Sequence, residues 1–411
     1  MKIPNLTKLV LALGLALAFA YGCNREGLNE SAIAPIEEAS KLITYAGNVI
    51  DGQYIVVFEE AALPLEFRAA EMPYAESQKM IKEESSKLLS KHGIASSKVA
   101  QTYSFALQGF AVAEVTDAEL QKLLADPNVK YVEQDQEIRL QGGPPGSGGG
   151  CANNNNETVP CGIDVVGGGA NYTGSKKAYV LDTGIDLTHP DLNVANYGFN
   201  AFSSGPDGNS LNDGNGHGTH VAGTIAAIGG NGIGVVGVAA GALVVPVKVL
   251  DRRGSGSISG VIAGVDYVGA NGSAGDVANM SLGGGANTSL DNAVIAASGG
   301  GIWFVIAAGN SSADANNYSP ARANGPYIRT IAAMNCSSQW ASFSNFGMPP
   351  IDYIAPGVSV CSTVNGGGYT SYNGTSMAAP HAAGVILATN GNPSTCGSVT
   401  FNGVNYPKIC M

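Results

Sequence analysis

The stretch NGTSMAAPHAAG, Asn373 to Gly384, sets Ser376 just behind a glycine and at the entrance to an apolar, alanine-rich segment. At the amino-terminal end of a helix the first main-chain N–H groups lack partners, and the aligned peptide dipoles add positive potential. Such an end accommodates an anion. Pro380 fits only if the helix begins near Ser376, since deeper inside it would remove a hydrogen bond and clash with the preceding turn. The segment therefore predicts a helix over Ser376 to Ala388. Taken alone, Gly-Thr-Ser before an apolar helix is more often an ordinary helix cap.

Two upstream segments carry what a serine hydroxyl lacks: AYVLDTGID with Asp182, and GNGHGTHVAGT with His217. A serine needs a base to take its proton, and that base needs a carboxylate to fix its tautomer and stabilise its cation. Apolar runs at Ala178 to Leu181, Leu243 to Leu250, Val277 to Leu282, Trp303 to Ala308 and Ile328 to Ala333 read as strands. They alternate with helix-like segments at Val221 to Ile228, Ser257 to Val268, Leu290 to Ala297 and Ser376 to Ala388. This alternation predicts an α/β fold, a parallel sheet with helices on both faces, with its ligand edge at the carboxyl ends of the strands. Asp182 and Asn310, the latter closing GIWFVIAAGN, both fall at such ends. A zinc site at His217 and His220 is disfavoured, because their spacing lacks the glutamate of HExxH. His220 and His381 are expected to be packed helix residues.

In this order, DTGID, HGTHVAGT, SLGGG, AAGN and GTSMAAPH resemble the subtilase family of serine peptidases, most closely its proteinase K-like branch, over most of residues 157–390. The resemblance implies a subtilisin-like fold that hydrolyses peptide bonds with Asp182, His217 and Ser376. The Asn310 amide and the Ser376 main-chain N–H would hold the oxyanion. It implies a groove between Gly254, Ser255, Gly256 and Ser281, Leu282, Gly283, Gly284, in which an extended peptide pairs as an added strand. Gly283, Gly284, Ala307, Ala308 and Gly309 leave the primary pocket roomy and uncharged, so cleavage is expected to be broad with an apolar or aromatic preference. Chemistry of this kind needs no cofactor. Asp352 with the carbonyls of Pro326 and Ile328 matches a structural calcium site of the family, and hard oxygen ligands suit that ion. The plain alternative is an Asp that accepts main-chain hydrogen bonds alone. At the level of the whole protein, the alternative is a catalytically silent subtilase fold that serves as a surface binding protein.

Residues 1–140 hold 32 charged side chains and the remaining 271 residues hold 21. The change falls at GGPPGSGGG, Gly142 to Gly150, a composition that cannot bury enough apolar surface to order itself. Residues 141–150 are thus expected to be a linker containing a processing site. Before it lie strand YIVVF, a charged helix Ser77 to Leu89, short strands at Val99 to Phe105 and Gly109 to Val115, a helix Asp117 to Ala125 and strand KYVEQDQEI. This split βαβ pattern predicts a small ferredoxin-like α+β domain over residues 51–140. It resembles the subtilase propeptide, VKYVEQD matching its last strand, and implies a self-inhibited zymogen whose following residues enter the active site in substrate fashion. An independent α+β domain is the alternative.

Lys2 and Lys8 before the apolar run Leu9 to Ala20 read as a signal peptide over residues 1–23, followed by a linker over 24–50. A run this short cannot span a bilayer. AYGC ending at Cys23 also resembles a bacterial lipoprotein site, from which Tyr21 departs, so lipidated and freely secreted forms both stay open. The other cysteines lie beyond the linker, and an even number in an exported protein suggests disulfides. Their neighbourhoods suggest Cys151 with Cys161, Cys396 with Cys410, and hence Cys336 with Cys361, free thiols being the alternative. The Cys396–Cys410 bridge would close a hairpin over residues 393–411, turning at Asn402 and Gly403. That hairpin departs from the family, which continues with more helix. The catalytic domain then spans 151–392. A net charge of -11 without a basic patch argues against nucleic acid as a partner. The expected partners are protein substrates and the chain's own propeptide, with a monomer as the assembly.

Overall fold

The computed structural model describes residues 41–45, 47–68, 72–140, 151–153 and 155–411. The expected signal peptide with Cys23 and the expected linker 141–150 lie outside the described residues.

The amino-terminal part is an antiparallel sheet with one parallel edge. Its strand order is Leu42–Ile43, Val129–Arg139, Val49–Phe58, Gly109–Val112, Val99–Tyr103. Helices Tyr74–Lys91 and Asp117–Leu124 cover one face. The second helix is held by a capping box in which Thr116 and Glu119 satisfy each other's exposed N–H groups. YIVVF is apolar at every position because both faces of its strand are buried. Tyr54, Val56 and Phe58 pack with Ile81, Leu89 and Leu123, whereas Ile55 and Val57 pack with residues of the following domain. Part of the stretch expected to be linker is instead structured. Residues 42–43 add a strand, and the next strand begins at Val49, because the edge of Val129–Arg139 offers unpaired main chain.

Beyond residue 151 a nine-stranded sheet runs in the order Ser394–Phe401, Val404–Cys410, Ile351–Pro356, Ile328–Met334, Trp303–Ala307, Val277–Met280, Ala178–Asp182, Val244–Lys248, Phe199–Asn200. Every neighbouring pair is parallel except the terminal hairpin. Its buried strands are apolar on both faces, as a sheet covered twice requires. One face carries helices Ile258–Asn271 and Thr288–Ser298; the other carries His217–Ala226 and Thr375–Ala388. The terminal hairpin does not lie over the core but extends the sheet edge, because Val404–Cys410 pairs with Ile351–Pro356. Asn402 and Gly403 turn it with φ of 50° and 78°, and Phe401 stacks on Trp340 at 4.4 Å.

The disulfides differ from the expected scheme. Cys151 bonds Cys361, and Cys161 bonds Cys336, so neither the Cys151–Cys161 nor the Cys336–Cys361 pairing forms. Chain neighbours are poor partners here because Cys161 opens a short helix packed on the Ile351–Pro356 strand, while Cys336 lies two residues past the end of the adjacent strand Ile328–Met334. The expected Cys396–Cys410 bridge does not form either: both are free thiols, and burial, followed by a hydrogen bond with the Cys396 thiol, raises the pKa of Cys410 to about 11.

Candidate active site

Asp182 ends its strand and is fully buried. The helix carrying His217 starts at that residue, earlier than the apolar run from Val221 had suggested. It can approach because Gly218 has no side chain: a Cβ there would stand 2.1 Å from the Gly184 carbonyl oxygen. The result is a pair of short contacts, His217 Nδ1 to the two Asp182 carboxylate oxygens at 2.8 and 2.9 Å. Nδ1 therefore carries the donated proton, which leaves Nε2 to act as a base. Burial lowers the His217 pKa, but the charge and hydrogen bond of Asp182, with Asp213 adding to them, raise it on balance. His220 and His381 are held neutral by burial, at about 3 and about 4. They pack inside their helices as expected.

Ser376 is the second residue of helix Thr375–Ala388 and is nearly buried. Pro380 lies inside that helix and cannot donate to the carbonyl four residues back, which belongs to Ser376. Ser281 fills the gap: its Oγ donates to the Ser376 carbonyl at 2.7 Å, and the Ser376 hydroxyl donates to the Ser281 carbonyl at 3.2 Å. Asn310 accepts from Thr375 N at 2.8 Å and from Thr375 Oγ1 at 2.9 Å. A main-chain N–H only donates, so the amide oxygen faces Thr375 and Nδ2 faces away. A Cβ on Gly374, whose φ is +153°, would lie 3.4 Å from Asn310 Nδ2 and 3.5 Å from Ser376 N. Two N–H donors thus converge on one small space beside the nucleophile.

The groove is filled by the chain itself. Glu137, Ile138 and Arg139 pair antiparallel with Ser257, Gly256 and Ser255, and Arg139 also bridges to Gly283. Leu140 N donates to the Gly254 carbonyl at 2.9 Å, and a Cβ on Gly254 would collide with the Leu140 side chain. Ile138 is fully buried beside Gly284. Next to Ser376 a pocket is lined by Leu282, Gly283, Ala307, Ala308 and Gly309, and also by Tyr318 and Ala321, which sequence reading missed. Tyr318 arrives because its strand pairs with Gly284 and Gly285, a long-range pairing with no local signal.

Three carboxylates fasten the amino-terminal domain to the catalytic one. Asp135 accepts from Ser259 N, and Glu133 accepts from Thr288 N and Ser289 N, so both sit at helix amino termini. Asp266 accepts from Ser104 N, Phe105 N and Ala106 N in the reverse direction.

The residues expected to hold calcium make protein hydrogen bonds in this structure. Arg329 Nη1 donates to the Ile328 carbonyl at 2.6 Å, and its charge faces Asp352. Asp352 accepts from Thr330 N at 2.8 Å, and Pro326 is exposed. Arg329 Nη1 and Thr330 N thus supply hydrogen bonds to two of the three expected ligands, as the plain alternative requires. Among the described residues no group of three or more His, Cys, Asp or Glu side chains could hold a metal.

Residues 178–399 match the Subtilase family, and residues 53–141 match the family described as Peptidase inhibitor I9. This chain belongs to the subtilase family. The subtilase is 40% identical over 384 residues to an extracellular serine proteinase of Thermus sp. (strain Rt41A), covering 91% of this chain and 87% of that one. It is 45% identical over 280 residues to a thermostable alkaline protease of Halalkalibacterium halodurans, covering 66% of this chain and 70% of the relative. Among solved structures, a cold adapted subtilisin-like serine proteinase is 43% identical, with a TM-score of 0.50, 56% of this chain and 85% of the other being covered. As a subtilase the chain is a serine peptidase preceded by an inhibitor-type propeptide.

Proposed function

We propose that this subtilase is exported as a zymogen and cleaves peptide bonds in proteins with Asp182, His217, Ser376 and Asn310 as its working groups. The observation that carries the reading is Arg139, held between Ser255 and Gly283 in the cleft that leads to Ser376. The residues ahead of it occupy the groove as a substrate strand would, and thereby block it.

Ser376 Oγ attacks the carbonyl carbon while His217 Nε2 takes its proton. Asp182 keeps the imidazole in its tautomer and stabilises the cation. The resulting oxyanion lies between Asn310 Nδ2 and Ser376 N. His217 then protonates the leaving amine, and water, deprotonated by His217, releases the acyl group from Ser376. No cofactor takes part. The pocket made by Ala307, Ala308, Gly309 and Tyr318 carries no charge, which favours apolar or aromatic side chains. Leu140 pairs with Gly254 in the cleft, and the Gly- and Pro-rich stretch 141–150 that follows it in sequence is where self-processing is expected. Export rests on the signal-like residues 1–23 and on relatives named as extracellular. Among the described residues no helix is long and apolar enough to cross a membrane.

A fluorophosphonate probe tests this. It should label Ser376 in the processed protein and leave the unprocessed precursor unlabelled. A processed protein that stays unlabelled would point to a silent binding fold instead.

A further inference from the structure

Asp213 precedes the His217 helix by four residues and is almost wholly buried, at 2% exposure. Its Oδ1 accepts from Thr183 Oγ1 at 2.8 Å, Asn215 N at 2.8 Å and Gly216 N at 2.9 Å. Its Oδ2 accepts from Thr219 N at 2.9 Å and Thr219 Oγ1 at 2.7 Å. Gly216, the residue at the helix cap position, has no side chain to satisfy these N–H groups, so Asp213 does so in its place. Thr183 follows Asp182 directly, donates its N–H to Asp182 Oδ1 at 2.8 Å, and accepts from Gly218 N at 3.0 Å. One carboxylate therefore grips both the turn that presents Asp182 and the first turn of the helix that presents His217.

Its charge also has few competitors. Lys248 donates to the Thr183 and Asn212 carbonyls and pairs with Asp207 at 3.0 Å. Tyr372, on the hairpin packed against the His217 helix, and the neutral His220 are the other titratable groups alongside. Apart from Asp182, which bonds it directly, Asp213 is the anion that acts on the His217 ring.

We propose that Asp213 is a positioning residue for the Asp182–His217 pair, its one carboxylate locking the turn after Asp182 to the first turn of the His217 helix. It touches no substrate atom. Its part is to set the alignment that brings His217 Nδ1 within 2.9 Å of both Asp182 oxygens.

Two substitutions in the full chain separate alignment from charge, measured on the matured enzyme. Asp213→Asn removes the charge. It should lower kcat about tenfold or more with KM little changed, and move the acid limb of the kcat/KM profile to lower pH by roughly half a unit, since the imidazolium loses a stabilising anion. Thr183→Val cuts the link to the Asp182 turn but keeps the charge. It should lower kcat while the acid limb stays at its wild-type pH. An Asp213→Asn enzyme whose kcat and acid limb are unmoved, though its melting temperature falls, would make Asp213 a structural cap only and overturn the proposal. Should Asp213→Asn fail to mature, Thr183→Val decides alone, and an unchanged kcat overturns the positioning role. The inference rests on the proposed catalytic reading. Wild-type protein that neither matures nor labels at Ser376 would count against that reading, not against the role of Asp213.

Discussion

Ser281 and Ser376 exchange two hydrogen bonds: the Ser281 hydroxyl donates to the Ser376 carbonyl, and the Ser376 hydroxyl donates to the Ser281 carbonyl. The first bond replaces the helical donor that Pro380 cannot supply. The second holds the nucleophile against the strand that forms one wall of the groove.

Ser281→Ala is therefore expected to leave a buried carbonyl unpaired, at a cost of about 1–3 kcal/mol. The main chain of the groove is untouched, so KM should hold while kcat falls. Thermal unfolding of the irreversibly inhibited enzyme checks the first part and steady-state kinetics the second. An unchanged melting temperature would mean that another donor reaches the Ser376 carbonyl.

Asn310→Ala removes one of the two donors beside Gly374. Turnover should fall by about 100- to 1,000-fold, the loss already known for the corresponding donor in subtilisin, itself a family member, with little change in KM. Gly374→Ala provides an independent test of the same space. Its methyl group would stand 3.4 Å from Asn310 Nδ2 at a φ of +153°, in the space proposed for the oxyanion. Normal turnover in Gly374→Ala would place the oxyanion elsewhere.

Acid should tighten the hold of the propeptide. Burial raises Asp135 and Asp266 to about 6 against the hydrogen bonds they accept, and it raises Glu133 as well. Each raised group makes the complex bind more protons than its separated parts. That contribution is fully present below the ordinary carboxylate range near 4 and is lost as pH rises through about 6. Inhibition of the matured enzyme by its released propeptide should be at least tenfold tighter at pH 5 than at pH 7.5. A titration of residual activity at both values decides it, and equal inhibition constants would remove these carboxylates from control of release.

Peptide mapping without reduction should recover Cys151 joined to Cys361 and Cys161 joined to Cys336. These bridges close spans of 210 and 175 residues. Restricting so much unfolded chain is typically worth about 2–4 kcal/mol per bridge, so reduction should lower the melting temperature clearly. A peptide joining Cys151 to Cys161 would contradict this arrangement.

Asp182, His217 and Ser376 were legible in the sequence because each is embedded in residues that must be what they are for local reasons. Gly218 lets one helix close on the Asp182 turn, and Gly374 opens the space before the other. The alternating apolar runs revealed the parallel sheet for the same reason: a strand buried on both faces is apolar throughout. What stayed hidden depends on partners far along the chain. Asp213 matters through Thr183, thirty positions away, and Ser281 through Ser376, across 95. Tyr318 enters its pocket only through pairing with Gly285. Proximity in sequence misled for the cysteines, because the sheet brings Cys161 beside Cys336. The turn at Asn402 and Gly403 was readable, but the edge that its hairpin joins was not.

The carboxylates of Glu133 and Asp135 complete the amino termini of two helices on the sheet face opposite His217 and Ser376. They belong to a segment that the finished protease discards. A molecule that later unfolds must regain a sheet built from long-range parallel pairings without the partner that once organised Ser259, Thr288 and Ser289. Long-range pairings of this kind form slowly, so an unfolded copy stays exposed to aggregation and to digestion by its neighbours. The working life of this enzyme is accordingly a half-life, set by the height of its unfolding barrier and by the two long cross-links, and the folding step happens once per molecule.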